Sequence, residues 1–319
     1  MIVIPADEPV QIGDSPQLDR LREAAEVKLY RDRPASSEEL VRRVQEADVM
    51  INSRGHVKWP AELLSQLPRL KMMSTCSIGT DSIDLQQATR QGVIVSNIPG
   101  RTAPVVAEHA FALMLALAKR TAFQTAELKA GRWTKRENML LGGKTLGVIG
   151  TGAIGAATVR LARAIGMRVV AWTFHPTPQR AAELGVEFVE LDELLSTSDV
   201  VSLHVRLTAD SRHLIGREQL ARMKPGALLV NTARGDVVDT QALIEALDSG
   251  HLGGAALDVF DVEPLPGDHP ILRCEQVVLT PHAADQTPEG VELLNQGAVE
   301  NVLAYLRGEP RNVVTPRPA

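Results

Sequence analysis

Gly150-Thr151-Gly152-Ala153-Ile154-Gly155 is the strongest local chemical signal in this chain. It follows an apolar run, Leu146-Gly147-Val148-Ile149, and opens a helical stretch predicted over Ala153–Ile165. That strand–turn–helix context is what a dinucleotide-binding turn requires. Gly150 permits the tight turn, Gly152 lets the backbone approach a pyrophosphate, and Gly155 lets helix and strand pack closely. The first turn, Ala153 and Ile154, offers unpaired N–H groups and the positive end of the helix dipole. Three later segments each place a polar residue just past a predicted strand: Asn231-Thr232-Ala233-Arg234-Gly235, Asp258 through Glu263-Pro264, and Thr280-Pro281-His282-Ala283-Ala284. Ligands of open α/β sheets bind at that edge. Arg234, Glu263 and His282 form a coherent set for reducing a ketone. Arginine binds a carboxylate bidentately and polarises a carbonyl. Histidine carries a proton near neutral pH. A glutamate orients the imidazole and favours its charged form.

The end of the second strand of the series should carry an acid to hold ribose hydroxyls. It reads Trp172-Thr173-Phe174-His175-Pro176, without a carboxylate. Thr173 can still bond a ribose hydroxyl, and His175 and Arg180 can meet a 2′-phosphate. NADP(H) is therefore at least as open as NAD(H), although His175 and Arg180 are also ordinary solvated loop residues.

These motifs need elements to hold them. The 319 residues suggest two domains, and 44% hydrophobic with 23% charged residues is ordinary globular composition. A net charge of −5 without a basic block argues against a general nucleic-acid binder. No apolar run reaches membrane-spanning length, and the start lacks a basic region before its short apolar run. With two cysteines, Cys76 and Cys274, far apart, buried reduced thiols in a cytoplasmic protein are expected.

Strands are predicted at Ile2–Pro5, Asp48–Asn52, Met72–Cys76 and Val93–Ser96. Helices are predicted at Leu18–Ala25, Glu38–Ala47, Ala61–Leu67 and Asp84–Gly92. Asn97-Ile98-Pro99-Gly100 is a breaker cluster and a candidate hinge. Ala103–Arg120 is a helix apolar almost all round, hence expected to be buried, between domains or in a subunit interface. The second βα series has strands at Thr145–Ile149, Arg168–Trp172, Val200–His204, Ala227–Asn231, Gly254–Asp258 and Val277–Thr280, with helices between the first five. A last helix spans Val291–Arg307. Such alternation implies parallel sheets with crossover helices.

The chain resembles the D-isomer-specific 2-hydroxyacid dehydrogenases. The resemblance runs over nearly the whole length: Ser77-Ile78-Gly79-Thr80-Asp81, Asn97-Ile98-Pro99-Gly100, Val106-Ala107-Glu108-His109, Gly143-Lys144-Thr145-Leu146-Gly147 into the glycine turn, Met223-Lys224-Pro225-Gly226, Asn231 to Gly235, Asp258-Val259-Phe260 with Glu263-Pro264, and Thr280-Pro281-His282. It implies two Rossmann-like doubly wound domains. Residues 1–99 with 285–319 would form a flavodoxin-like substrate domain. Residues 100–284 would form the inserted dinucleotide-binding domain, with the active site in the cleft between the two. Arg234, Glu263 and His282 match the family's catalytic triad.

Asp258 matches the residue that holds the nicotinamide amide, and the Ile78-Gly79 backbone matches the loop that takes the substrate carboxylate. Val106, His204, Val205, Thr232, Ala233 and Ala284 would join the glycine turn, Arg234 and His282 around the cofactor. The long helix would sit at a homodimer interface. Arg206 stands where the family usually has proline, bordering the adenine pocket. Asp285 stands where it usually has a small residue. Arg54 is a candidate for the substrate side, and equally a surface arginine after a strand. The implied activity is NAD(P)-dependent reduction of a small 2-keto acid such as glyoxylate or hydroxypyruvate. The alternatives are a phosphoglycerate or phosphite dehydrogenase of the same family, or a dinucleotide-sensing corepressor-like protein. Neither nucleic acid nor membrane is an expected partner.

Overall fold

The computed structural model describes residues 1–53 and 57–315, so Arg54 lies outside the described residues. The chain divides into two compact units, Met1–Thr102 with Gln286–Ala319, and Ala103–Asp285.

The first unit holds β1 (Ile2–Ile4), α1 (Gln17–Ala24), β2 (Val27–Leu29), α2 (Ser37–Val44), β3 (Val49–Asn52), α3 (Ala61–Leu64), β4 (Met72–Thr75), α4 (Leu85–Arg90) and β5 (Ile94–Ser96). Its sheet runs β2-β1-β3-β4-β5, all parallel among these strands, which is the flavodoxin-like order. β1, β3 and β4 are buried at every position, as strands covered by helices on both faces must be. Helix α2 starts where Ser36 Oγ accepts from the Glu39 N–H, and α4 where Asp84 accepts from the Gln87 N–H.

The second unit holds α5 (Ala103–Ala118), α6 (Thr121–Lys129), β6 (Thr145–Ile149), α7 (Ala153–Ala164), β7 (Arg168–Trp172), α8 (Pro178–Leu184), β8 (Glu187–Phe188), α9 (Leu191–Thr197), β9 (Val200–Leu203), α10 (Arg217–Arg222), β10 (Leu228–Asn231), α11 (Thr240–Asp248), β11 (Gly254–Leu257) and β12 (Val277–Leu279). Its parallel sheet runs β12-β11-β10-β9-β6-β7-β8. Counted within the unit this is the doubly wound 3-2-1-4-5-6 order with one added strand, and the order reverses at β6/β9. The final helix, α12 (Pro288–Leu306), returns to the first unit and packs on α1 and β4.

The structure corrects several expectations. β2 has only three residues and β8 two, too short for a period-2 pattern to show. Arg120 adopts φ +49°, which ends the long helix and starts a separate α6. α5 lies as one layer on the sheet of its own unit, with Val106, Ala110, Leu113 and Leu117 covered and Pro104, Glu108 and Ala112 exposed in the single chain. Cys76 and Cys274 are buried and unbridged. No helix among the described residues is long and apolar enough to cross a membrane.

Where α7 meets β6, backbone contact dictates composition. A Cβ on Gly155 would lie 2.0 Å from the Gly150 carbonyl oxygen. A Cβ on Gly152 meets nothing within 4 Å, and its φ of −63° suits any residue. Gly155→Ala should therefore lower unfolding stability by about 1–3 kcal/mol, and Gly152→Ala should stay within about 0.5 kcal/mol of wild type. Urea titrations of the two variants check this; equal losses would refute the packing argument.

Candidate active site

The site in the second unit is built on the C-terminal edge of its sheet. At the exit of β6, Gly150 takes φ +95°, and its Cα faces the His204 carbonyl so closely that a Cβ would lie 2.7 Å away. The turn then enters α7, whose N-cap is Gly152. Helices α8, α11 and α12 begin with side-chain caps from Thr177, Asp239 and Thr287. α7 has no such cap, so the N–H groups of Ala153, Ile154 and Gly155 face outward without one. This is the arrangement that receives a phosphate.

Two buried polar atoms on the same edge hydrogen-bond nothing: Thr232 Oγ1, just after β10, and His204 Nδ1, just after β9. Buried polar atoms are normally paired. A ligand rich in hydroxyl and phosphate groups fits these orphans and the uncapped helix. His204 bonds Ser202 Oγ through Nε2 at 2.9 Å. Burial pushes its pKa down to about 4, so it meets a ligand as a neutral imidazole. Val205 packs its Cγ1 toward Gly150, whereas Arg206 is exposed. Thr173 is half-buried and His175 exposed at the end of β7. Arg180 reaches back 2.6 Å to the Thr151 carbonyl oxygen, tying α8 to the glycine turn.

Glu263 and His282 meet. His282 Nδ1 lies 2.7 Å from Glu263 Oε2. An ionised carboxylate only accepts, so Nδ1 carries a hydrogen and Nε2 is left to exchange a proton. Glu263 Oε1 accepts the Phe260 N–H at 2.9 Å, which fixes the carboxylate plane. The hydrogen bond that His282 donates to Glu263 raises the His282 pKa above its ordinary 6.5, against burial. Burial pushes Glu263 up, but the His282 hydrogen bond and charge outweigh it and hold the carboxyl below 4.5. Arg234 belongs to the same electrostatic cluster, since its charge helps to lower Glu263 and opposes the rise of His282. Its backbone is set by Asn231. The Asn231 Nδ2 donates to the Arg234 carbonyl at 2.9 Å, and its Oδ1 accepts the Ala233 N–H at 2.9 Å.

Asp258 takes a place that the motif alone did not show. It is 1% exposed, and both oxygens are engaged by the segment bearing His282. Oδ1 accepts from Thr280 Oγ1 at 2.6 Å and the Ala283 N–H at 2.8 Å, and Oδ2 accepts the Ala284 N–H at 3.0 Å. Its carbonyl accepts the His282 N–H at 2.8 Å. His109, on α5 one turn beyond Val106, adds Nε2 at 3.0 Å from Thr280 Oγ1 and 3.4 Å from Asp258. Burial pushes Asp258 up, but these donors hold it below the usual carboxylate range. Along the sequence, Thr280 and His109 are visible only as parts of longer motifs. A lone histidine on an apolar helix was the available signal.

In the first unit, Ile78 and Gly79 follow β4 and are half-buried. Among the described residues no cluster of His, Cys, Asp and Glu is arranged to hold a metal ion.

Residues 111–284 match the family model of the D-isomer specific 2-hydroxyacid dehydrogenase, NAD binding domain. The chain belongs to this family. It is accordingly an oxidoreductase that acts on CH–OH groups with a nicotinamide cofactor. It is 41% identical to the glyoxylate reductase of Korarchaeum cryptofilum over 93% of this chain and 92% of that protein. It is 42% identical to the hydroxypyruvate reductase of Thermotoga maritima over 84% and 88%. The D-lactate dehydrogenase of Aquifex aeolicus, solved with NAD and lactic acid, superposes with a TM-score of 0.86 at 32% identity, covering 100% of both chains.

The Glu263–His282 pair has a definite pH signature. A raised His282 stabilises the fold below pH 6.5 and loses that contribution as pH rises through its folded pKa. A lowered Glu263 stabilises above pH 4.5 and loses it as pH falls through its folded pKa. The stability difference between wild type and Glu263→Gln should peak between those values and shrink on either side. Both side chains are over a third exposed, so the difference is small. Nuclear magnetic resonance titration of the His282 ring should give a pKa above 6.5 that falls in Glu263→Gln. An unchanged ring pKa in the variant would dismiss the pairing.

Proposed function

We propose that this dehydrogenase reduces small 2-keto acids, glyoxylate and hydroxypyruvate foremost, to their D-2-hydroxy acids. The observation that carries the reading is the Glu263–His282 hydrogen bond at 2.7 Å within reach of the Arg234 charge. A bound nicotinamide dinucleotide supplies the hydride. It would be held by the glycine turn from Gly150 to Gly155, by Thr232, Ala233 and His204, and by Val106, Asp258 and Ala284 beside the His282 segment. His282 Nε2–H donates its proton to the carbonyl oxygen that becomes the hydroxyl, and Nε2 takes it back in the oxidation direction. Glu263 keeps Nδ1 protonated and stabilises the imidazolium. Arg234 binds the carboxylate and stabilises the charge developing on the carbonyl oxygen. In the first unit, the backbone N–H groups of Ile78 and Gly79 would take a substrate carboxylate. The glyoxylate reductase and hydroxypyruvate reductase relatives support a small side chain on the substrate.

Both cofactors are accepted in this reading. No carboxylate stands between Trp172 and Thr177 to repel a 2′-phosphate, and Thr173, His175 and Arg180 offer donors there. A single charge-assisted hydrogen bond contributes about 1.5–3 kcal/mol. Arg180→Ala should therefore lower kcat/KM for NADPH about tenfold more than for NADH. Equal losses with both cofactors would assign Arg180 to the glycine turn alone.

The reading as a whole is tested by following reduced-nicotinamide absorbance with glyoxylate, hydroxypyruvate and pyruvate. Turnover is expected, and His282→Ala should cut kcat by about 10²–10⁴-fold while NADH affinity holds. Cofactor binding without turnover of any 2-keto acid would overturn the proposal in favour of a dinucleotide-sensing protein. Wild-type turnover in His282→Ala would remove the assigned acid.

A further inference from the structure

Three successive carbonyls at the end of β4 are tied back into the first unit, each by a different partner. The Ser77 carbonyl accepts the Ile98 N–H at 3.0 Å. The Ile78 carbonyl accepts Asn97 Nδ2 at 2.7 Å. The Gly79 carbonyl accepts Ser77 Oγ at 2.5 Å. These peptide bonds are trans, so each N–H points opposite to the carbonyl of the residue before it. Pinning the carbonyls inward therefore aims the N–H groups of Ile78, Gly79 and Thr80 outward. Among the described residues, the N–H groups of Ile78 and Gly79 have no hydrogen-bond partner. Successive outward N–H groups form a concavity that binds anions.

The middle anchor belongs to a longer chain of amides. Asn97 is 8% exposed and Asn301, on α12, is 0% exposed. Asn301 Nδ2 donates to the Asn97 carbonyl at 2.8 Å, and Asn301 Oδ1 accepts from Asn312 Nδ2 at 2.9 Å. Asn312 also accepts the Asn97 N–H on its carbonyl at 3.2 Å. The segment around Asn312 is itself fixed along β5. Val313 bridges Ser96 in antiparallel sense, the Val314 N–H donates to Val95, and Ser96 Oγ donates to Arg311. Asn97 and Asn301 are buried, and hydrogen bonds of this kind favour one backbone geometry over several.

We propose that Asn97 is a positioning residue for substrate recognition, backed by Asn301 and Asn312. It holds the Ile78 carbonyl away from the ligand so that the Gly79 N–H meets the substrate carboxylate. The segment following α12 is thereby part of the substrate site's support although it touches no substrate. The proposal rests on the reading of Ile78–Gly79 as a carboxylate-binding loop.

The test titrates oxamate and its neutral counterpart oxamide into NADH-saturated enzyme by calorimetry, with circular dichroism melts as a folding control. Wild type should bind oxamate at least about tenfold more tightly than oxamide. In Asn97→Ala the oxamate affinity should fall about tenfold, with oxamide and NADH affinities unmoved. Asn312→Gly, which relieves φ +53°, should lose about two- to threefold on oxamate only. If wild type separates the two ligands and folded Asn97→Ala keeps their ratio, the role of Asn97 is overturned while carboxylate recognition by the enzyme stands. Equal or absent binding of both ligands to wild type overturns the loop and the proposal together. A parallel loss of NADH affinity would make Asn97 a general structural residue and also refute the proposal. Should Asn97→Ala melt below the assay temperature, Asn312→Gly decides by the same ratio.

Discussion

Asp258 leaves β11 with its carboxylate out of water and spends both oxygens on the segment that carries His282. A buried carboxylate is costly unless its lone pairs are filled. Here Thr280 Oγ1 and the N–H groups of Ala283 and Ala284 fill them. The consequence is local and steric. Between those donors the backbone passes through His282 at φ +51°, a left-handed conformation that a non-glycine residue adopts only when its surroundings hold it. That conformation sets the base of the His282 ring opposite Glu263. Thr280 has one hydroxyl hydrogen and gives it to Asp258, so it accepts from His109 Nε2. One buried charge thus connects α5, β11 and the proton-carrying histidine.

The same economy recurs in both units. Groups proposed to face a ligand are not held directly. Their covalent neighbours are held, and planarity or the strand direction does the rest. Asn231 fixes the loop around Arg234 by holding the Arg234 carbonyl and the Ala233 N–H. Phe260 and His282 orient Glu263. The Ile98 N–H and the Asn97 side chain hold the carbonyls of the peptides that carry the Ile78 and Gly79 N–H groups. Parallel sheets make this possible, because all their strands deliver such loops to one edge and the helices shield the other faces.

Much of this was legible along the chain. Alternating apolar strands and helices, the turn from Gly150 to Gly155 and the ordered Arg234, Glu263 and His282 segments need only near neighbours to be recognised. The family and the doubly wound fold follow from them. What stayed hidden was short or distant. β2 and β8 are too brief to show a period. Asn97 read as part of a breaker cluster because an asparagine beside proline and glycine is ordinary turn chemistry. Its amide partner Asn301 lies 204 residues further on.

The sequence by itself therefore determined which residue types stand at which strand ends, since turn chemistry and periodicity are written in contiguous residues. Only the tertiary structure decided which of them share a hydrogen bond: Glu263 with His282, His109 with Thr280, and Asn97 with Ile78 and Asn301. A hydrogen bond depends on the distance and angle between two atoms. Those are properties of packed elements rather than of the chain order that supplies them.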